Sequence, residues 1–289
     1  MANKFPTGKS HVSYSEVKAW AECPYRHYLM YVEGINTYVD NPWADFGTIV
    51  HDAIEGFLNT KQFDLESVKE KIAAKWAEKG YDTDEYIALI TEERKSNGWK
   101  YNHESLQDMQ SSAINILNDF ESFMDSEFPG WEPISAEFEL YEQIKDSNGM
   151  NFKGFIDCII AKPKKPGSDK VEYWIIDWKT TGKSGWFWKK KREFLSLAQV
   201  GLYKHYWATK FNIPVKDIKV GYVFLKRGAD PGKTIELFKV SAGPVFIEKT
   251  NKLVKRMIKN VNNGIKLKNY DNCKFCPYKG TEHCSGKGW

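Results

Sequence analysis

Asp157, Asp177 and Lys179 are the side chains whose types and spacing point most directly to chemistry. Asp157 lies in GFIDCII and Asp177 in WIIDWKT, each behind an apolar run, and Lys179 follows Asp177 by two residues. In an extended strand, residues i and i+2 share a face, so Asp177 and Lys179 project side by side while Trp178 turns the other way. If the two acid-bearing strands pair through the loop between them, both carboxylates reach one sheet edge. Hard divalent cations such as Mg2+ take oxygen ligands, commonly one or two carboxylates plus a substrate phosphate. A lysine on the same face can orient a water and offset phosphate charge, so the set suits metal-assisted phosphodiester hydrolysis. Acid-x-Lys alone also describes a surface ion pair. The apolar run ahead of Asp177 matters here, because it pushes the acid to the end of a buried strand.

The cysteines raise a second chemical question. Cys273 and Cys276 form a C-x-x-C pair, Cys284 follows after seven residues, and Cys23 stands far upstream before Pro24. Four thiolates suit Zn2+ or an iron–sulfur cluster. A zinc ribbon uses two local knuckles and only one is present, which gives a zinc-finger-like regulator little support. Cys158 points away from Asp157's side of its strand, as a small buried hydrophobe. Five cysteines without a signal-peptide apolar region fit a reducing compartment, where disulfides are not expected.

These groups need elements to hold them. HVSYSEVKAWAECPYRHYLMYVEGI reads as a helix capped by Ser13 or Ser15 and broken at Pro24. WADFGTIVHDAIEGFLNT reads as a second helix, entered through Gly47, and residues 63–127 are helix-rich. After Pro129, SAEFELYEQI and NFKGFIDCIIAKP alternate around KDSNG, a hairpin signal, and VEYWIIDWKTT is a further strand. LSLAQVGLYKHYWATKFN is helical, DIKVGYVFLKR and KTIELFKV return to strand, and a last helix stops at Gly264. The order predicts a mixed α/β (α+β) core with a helical N-terminal elaboration.

With 289 residues and 42% apolar content, the chain can bury a large core. Its net charge of +4, from 42 basic and 38 acidic residues, is too small to indicate nucleic acid by itself. KPKKPGSDK at 162–170 and WFWKKKR at 186–192 are locally basic. Such runs are solvated loops or binding surfaces; WFWKKKR combines stacking with phosphate attraction, as single-strand channels do, or packs its tryptophans inward. No apolar run approaches a membrane span, so the expectation is a soluble, cytoplasmic protein without a membrane partner.

Six segments in order resemble one family: SYSEVKAWAECPYRHYLMYVEGI, FGTIVHDAIEGF, GFIDCII, IIDWKTT, AQVGLYKHYW and CKFCPYKGTEHC. They are similar to the Ser…Cys-Pro…Tyr helix, Gly-x-x-x-His motif, two acid motifs, Gln-x-x-x-Tyr helix and cysteine cluster of the RecB-like branch of the PD-(D/E)XK nucleases. The likeness is greatest to CRISPR-associated and phage exonucleases that carry an iron–sulfur cluster. It implies a restriction-endonuclease-like core sheet flanked by helices. Residues 1–289 would form a single nuclease domain, with a helical part at 1–130, the core at 131–262 and a cysteine segment at 263–289 joined to Cys23.

The resemblance also implies roles. His51, Asp157 and Asp177 would hold Mg2+ or Mn2+, with the Trp178 carbonyl a further ligand, and Lys179 would be the catalytic lysine. Gln199 and Tyr203, one helical turn apart, would organise the site or contact DNA. Glu137 stands where many relatives have an acid, whereas Glu55 reads as an ordinary helical acid. Cys23, Cys273, Cys276 and Cys284 would bind a [4Fe-4S] cluster, with Zn2+ the alternative and His283 a substitute for Cys284. The implied activity is a Mg2+- or Mn2+-dependent DNA exonuclease acting on single-stranded ends in recombination, repair or replication. Replication or recombination proteins would be its partners, and its source a phage or a cell. The alternatives are an end-processing nuclease within a CRISPR-adaptation-type complex and a non-catalytic DNA-binding scaffold. The intact set of His51, Asp157, Asp177 and Lys179 argues against the scaffold.

Overall fold

The alternating stretches that follow Pro129 build the centre of the molecule. The computed structural model describes residues 5–37, 40–96 and 103–286; residues 97–102 of the helix-rich 63–127 stretch lie outside them. Strands β2 (Glu132–Gln143) and β3 (Asn151–Pro163) form the expected antiparallel hairpin. Its KDSNG turn places Asp146, Asn148 and Gly149 at positive φ, where short polar residues and glycine are tolerated. Strand β4 (Val171–Thr181) pairs antiparallel with β3. A crossover through helix α7 (Phe194–Phe211) then brings β5 (Ile218–Lys226) parallel to β4, and β6 (Ile235–Val240) closes antiparallel on β5.

A short strand β1 (His11–Ser13) completes this six-stranded mixed sheet by pairing parallel to β3 at Asn151–Lys153. Three residues are too few to show alternation, and the sequence reading merged them into the following helix. Strand β4 pairs with β3 only from Pro163↔Val171 to Cys158↔Ile176. Both neighbours therefore leave residues 154–157 of β3 free on that edge. The sheet forks there.

Helices cover both faces. On one lie α1 (Tyr14–Glu22), α7 and α8 (Pro244–Asn262), packed with Phe152, Ile156, Ile175 and Tyr222. On the other lie α3 (Pro42–Thr60), α4 (Leu65–Lys79) and α6 (Leu106–Glu127), packed with Cys158, Ile160, Ile176 and Trp178. Each such buried large side chain contributes about 1.5–3 kcal/mol. A one-residue slip of β4 would turn Ile176 and Trp178 off their face, so the core fixes where Asp177 stands.

Local signals explain the helix ends. Ser13 caps α1 by accepting from the Glu16 N–H, and α1 ends before Pro24, which opens α2 (Pro24–His27) and a π-helical turn at Tyr28–Val32. Helix α5 (Asp84–Ser96) follows α4. Helix α3 starts earlier than expected, at Pro42, capped by Asn41. Gly47 is thus not its entry but lies inside it, buried against β4. A Cβ there would sit 2.9 Å from Thr180 Oγ1. Gly47→Val is expected to cost about 1–3 kcal/mol by overpacking this contact, read by urea unfolding, and Thr180→Ala in that background should restore part of the loss. An unchanged midpoint would show that α3 is not held by this approach. Among the described residues, no helix is long and apolar enough to cross a membrane.

Candidate active site

The fork in the sheet is where the acids meet. Asp157 and Asp177 are the first residues of β3 and β4 beyond the last pair, Cys158↔Ile176, so they face each other as the strands part. Asp177 is fully buried, and its Oδ2 lies 2.6 Å from Lys179 Nζ. Despite this close ion pair, neither Asp177 oxygen has a well-aligned hydrogen bond. Asp157 Oδ2 accepts from the Trp178 N–H at 2.8 Å and stands 3.8 Å from His51 Nδ1. Trp178 itself points to the opposite face, 5.6 Å from Phe120. Helix α3 delivers His51 one turn beyond Gly47, the residue that lets α3 close onto β4.

Charge is poorly balanced here. Burial, and then the neighbouring Asp177, push the Asp157 carboxyl well above its ordinary range, against the pull of Lys179. Burial raises Asp177 too, with Lys179 opposing. Burial disfavours the Lys179 ammonium, yet Asp177 and then Asp157 outweigh it and raise its pKa. Burial and the charge of Lys179 lower His51 to about 4, so its ring is neutral near pH 7, the form that ligates metals.

Glu137 belongs to the same neighbourhood. It lies on β2 opposite Asp157, between the pairs Ala136↔Cys158 and Phe138↔Ile156. Its φ of 44° is left-handed, a conformation that costs a non-glycine residue about 1–2 kcal/mol. Burial, then Glu55 and Asp52, raise its pKa. Glu137→Gly is expected to raise stability by up to about 1 kcal/mol in chemical denaturation; a loss would show that the backbone there is unstrained.

The donor set fits a hard divalent cation. Two carboxylates, one with both oxygens buried and poorly satisfied, and a neutral imidazole have too little positive charge among them. Two donors at about 2.1 Å from one octahedral Mg2+ stand about 3.0 Å apart when adjacent; His51 Nδ1 and Asp157 Oδ2, 3.8 Å apart, are neighbours that would have to close slightly around an ion. Asp177 is held by Lys179 instead. Among the described residues, no three His, Cys, Asp or Glu side chains stand close enough together to hold one metal ion as they are placed.

Gln199 and Tyr203 share one face of α7. Gln199 Nε2 donates to the Tyr203 hydroxyl at 3.1 Å. Tyr203 is buried at the open edge of β3, where a Cβ on Gly154 would come within 2.7 Å of its ring. Burial, then Asp177, raise its phenol pKa. It packs the site, while Gln199 reaches the surface. One groove joins Gln199 and Lys179 to Lys18, Arg26 and Tyr31, and another joins Gln199 and Tyr14 to His11, Lys153 and Phe155. Lys18 and Arg26 line the first of these grooves, and no pattern in the sequence singled them out.

The four cysteines come together at a second place. Cys23, Cys273, Cys276 and Cys284 line one pocket with Tyr25 and Arg26. Burial, then the charges of Cys276, Cys284 and Cys23, raise the Cys273 thiol. Two side-chain amides, of Asn269 and Asn272, donate to the Glu22 carbonyl at 2.8 Å, and the Tyr25 N–H donates to the Leu267 carbonyl at 3.0 Å. The C-terminal segment is thereby laced to the start of α2. The His283 ring is 3.4 Å from Glu282, and its carbonyl accepts from the Tyr25 hydroxyl. Cys284, not His283, faces the pocket. Cys158 is wholly buried, and burial raises its thiol pKa.

A helix-flanked mixed sheet with Asp…Asp-x-Lys at the parting of two strands defines a nuclease core. The chain belongs to the PD-(D/E)XK nuclease superfamily, whose sequence profile matches residues 11–281. The fold is accordingly restriction-endonuclease-like. Among solved structures, a protein from Eubacterium rectale described as a candidate exonuclease superposes with a TM-score of 0.50 at 12% identity, covering 89% of this chain and 82% of that one. At that identity the likeness is one of fold. No curated protein sequence is significantly similar.

Proposed function

We propose that this nuclease is a Mg2+- or Mn2+-dependent DNA exonuclease of the RecB-like branch, acting on single-stranded ends. The carrying observation is Asp177: a fully buried carboxylate with no well-aligned hydrogen bond, facing Asp157 where two strands separate. His51, Asp157 and Asp177 would hold the cation, with the Trp178 carbonyl beside them. When bound, such an ion supplies Lewis acidity toward a phosphate oxygen and lowers the pKa of water. The chain's own groups do the rest. Lys179, anchored on Asp177 at 2.6 Å, points its ammonium at the position a scissile phosphate takes and orients the attacking water. Trp178, through its N–H, fixes one Asp157 oxygen and so aims the other. Gln199, at the meeting of the two grooves, positions the strand across Lys179. Lys18 and Arg26 attract its phosphates.

In this reading the four-cysteine pocket would hold a [4Fe-4S] cluster. The pocket gathers cysteines from both ends of the chain around a single C-x-x-C knuckle. Zn2+ is the alternative. Residues 1–289 would then work as one nuclease domain, with the segment from 263 stapled back to Cys23.

The direct test compares linear and closed-circular single-stranded DNA of one sequence, with duplex and RNA controls, in Mg2+, Mn2+ and EDTA. Shortening of linear single strands in either metal, with circles intact and EDTA silent, is the expected result. Cutting of circles at the same rate would make it an endonuclease, and binding without cutting would favour the scaffold.

A further inference from the structure

The loop between β4 and α7, residues 182–193, divides its aromatic and basic run into two sets. Trp186 packs inward, its ring 4.9 Å from Tyr222 and 5.2 Å from Phe224, with Lys190 lying 4.4 Å from that ring. Lys191 is likewise engaged: it bonds Glu236 at 2.7 Å and lies over Phe224. Phe187 and Trp188 do the opposite. They stand 63% and 71% exposed, and the Arg192 guanidinium lies 5.7 Å from the Trp188 ring. Lys189 beside them is exposed. Trp186 thus pins the loop to the sheet, and the loop tip holds two aromatic side chains in water among cations.

The position of this tip matters. It follows directly on the strand that carries Lys179. Lys190 also lies within electrostatic reach of Lys18 and Lys179, the two lysines of one groove: burial first, then those two charges, lower its pKa. A partner for this surface must offer apolar planes and negative charge together. Single-stranded nucleic acid does so, since every unpaired base has an exposed π-face and every nucleotide a phosphate. A duplex hides the base faces, and an apolar protein surface would leave Lys189 and Arg192 facing nothing of opposite sign.

We infer that Phe187 and Trp188 form a stacking platform for unpaired bases of a strand that continues from the Lys18–Lys179 groove, with Lys189 and Arg192 holding its phosphates. This rests on the nuclease reading above and adds to it a subsite outside the reacting centre. Arg192, over Trp188, presets the ring and shares the phosphate contact.

The test is fluorescence anisotropy of labelled oligothymidylate in EDTA, so that cutting is silent, on the full chain. Wild type, the double variant Phe187→Ala/Trp188→Ala, and the single variants Trp188→Phe and Trp188→Leu are compared, with circular dichroism to verify folding. The double variant is expected to bind at least about tenfold more weakly, because a base–aromatic stack contributes roughly that much per base. Trp188→Phe should retain most of the affinity, Trp188→Leu should behave like the loss of the ring, and blunt duplex binding should change little. Double-variant affinity within about twofold of wild type overturns the platform. So does Leu serving as well as Phe, which would mark an apolar protein-docking surface. Metal-dependent cutting is measured separately on wild type: if cutting is absent while the aromatic dependence holds, the nuclease reading fails and the platform stands.

Discussion

Asp177→Asn is expected to lose at least about a hundredfold of the metal-dependent hydrolysis while its metal-free form melts no lower than wild type. The two halves of this result have one cause. Asp177 is fully buried opposite Asp157, and its oxygens lack well-aligned hydrogen bonds. Without a cation, two carboxylates repel each other there and only Lys179 offsets them. An amide keeps the shape and removes one of the charges, so folding does not suffer. What is lost is the affinity for the cation and the anchor that aims Lys179. A second readout follows from binding linkage. At 100 times its dissociation constant, a cation that binds only the folded state stabilises it by about 2.7 kcal/mol, on the order of 5 °C in a chain of this size. Mg2+ or Mn2+ should produce that shift in wild type and little of it in Asp177→Asn. Full activity in the variant, or an equal metal-induced shift, would remove Asp177 from the site.

The second large effect is expected at Cys23. If the pocket holds the proposed iron–sulfur cluster, Cys23→Ser should abolish the visible absorbance and bound iron of anaerobically purified protein and loosen the C-terminal segment. Binding free energy for a metal group held by residues from both chain ends is also folding free energy, about 10–16 kcal/mol in small zinc sites. Without the group, the segment is held by weaker ties: the Asn269 and Asn272 amides on the Glu22 carbonyl, the Tyr25–Leu267 backbone bond, and Tyr278 on the Ile35 carbonyl. Limited proteolysis should then cut between residues 263 and 272, outside the folded core. Cys158→Ala is the control, because Cys158 lies in the core on β3 and not at the pocket; it should keep the chromophore. A colourless wild type carrying zinc would move the pocket to the Zn2+ alternative. Retention of the chromophore in Cys23→Ser would detach Cys23 from it.

What could be read in the sequence depended on whether a local pattern carried it. Strand period two placed Asp177 beside Lys179 and turned Trp178 away, and the structure does the same because apolar neighbours on both faces fix the register. The KDSNG turn and the single crossover helix were legible for the same reason: turn chemistry and periodicity are local. Gly47 was misread, since a glycine that opens a helix and one that lets a helix touch a strand look alike until the strand is in place. Strand β1 was missed because three residues have no measurable period. The fork that gathers Asp157 and Asp177 was not legible, because it arises from where β1 and β4 each stop pairing with β3. WFWKKKR could be read either way, and it is both: Trp186 turns in, Phe187 and Trp188 turn out. Spacing alone could not bring Cys23 to residues 273–284. Only the lacing of the segment onto the start of α2 does so.

The central claim is that His51, Asp157 and Asp177 share one cation at the parting of β3 and β4. Anomalous diffraction from crystals soaked in Mn2+ tests it most directly. A single strong peak within coordination distance of all three side chains, with Asp177 reaching the ion through the oxygen that Lys179 does not hold, is the predicted result. A peak elsewhere, or no peak at saturating Mn2+, would contradict it.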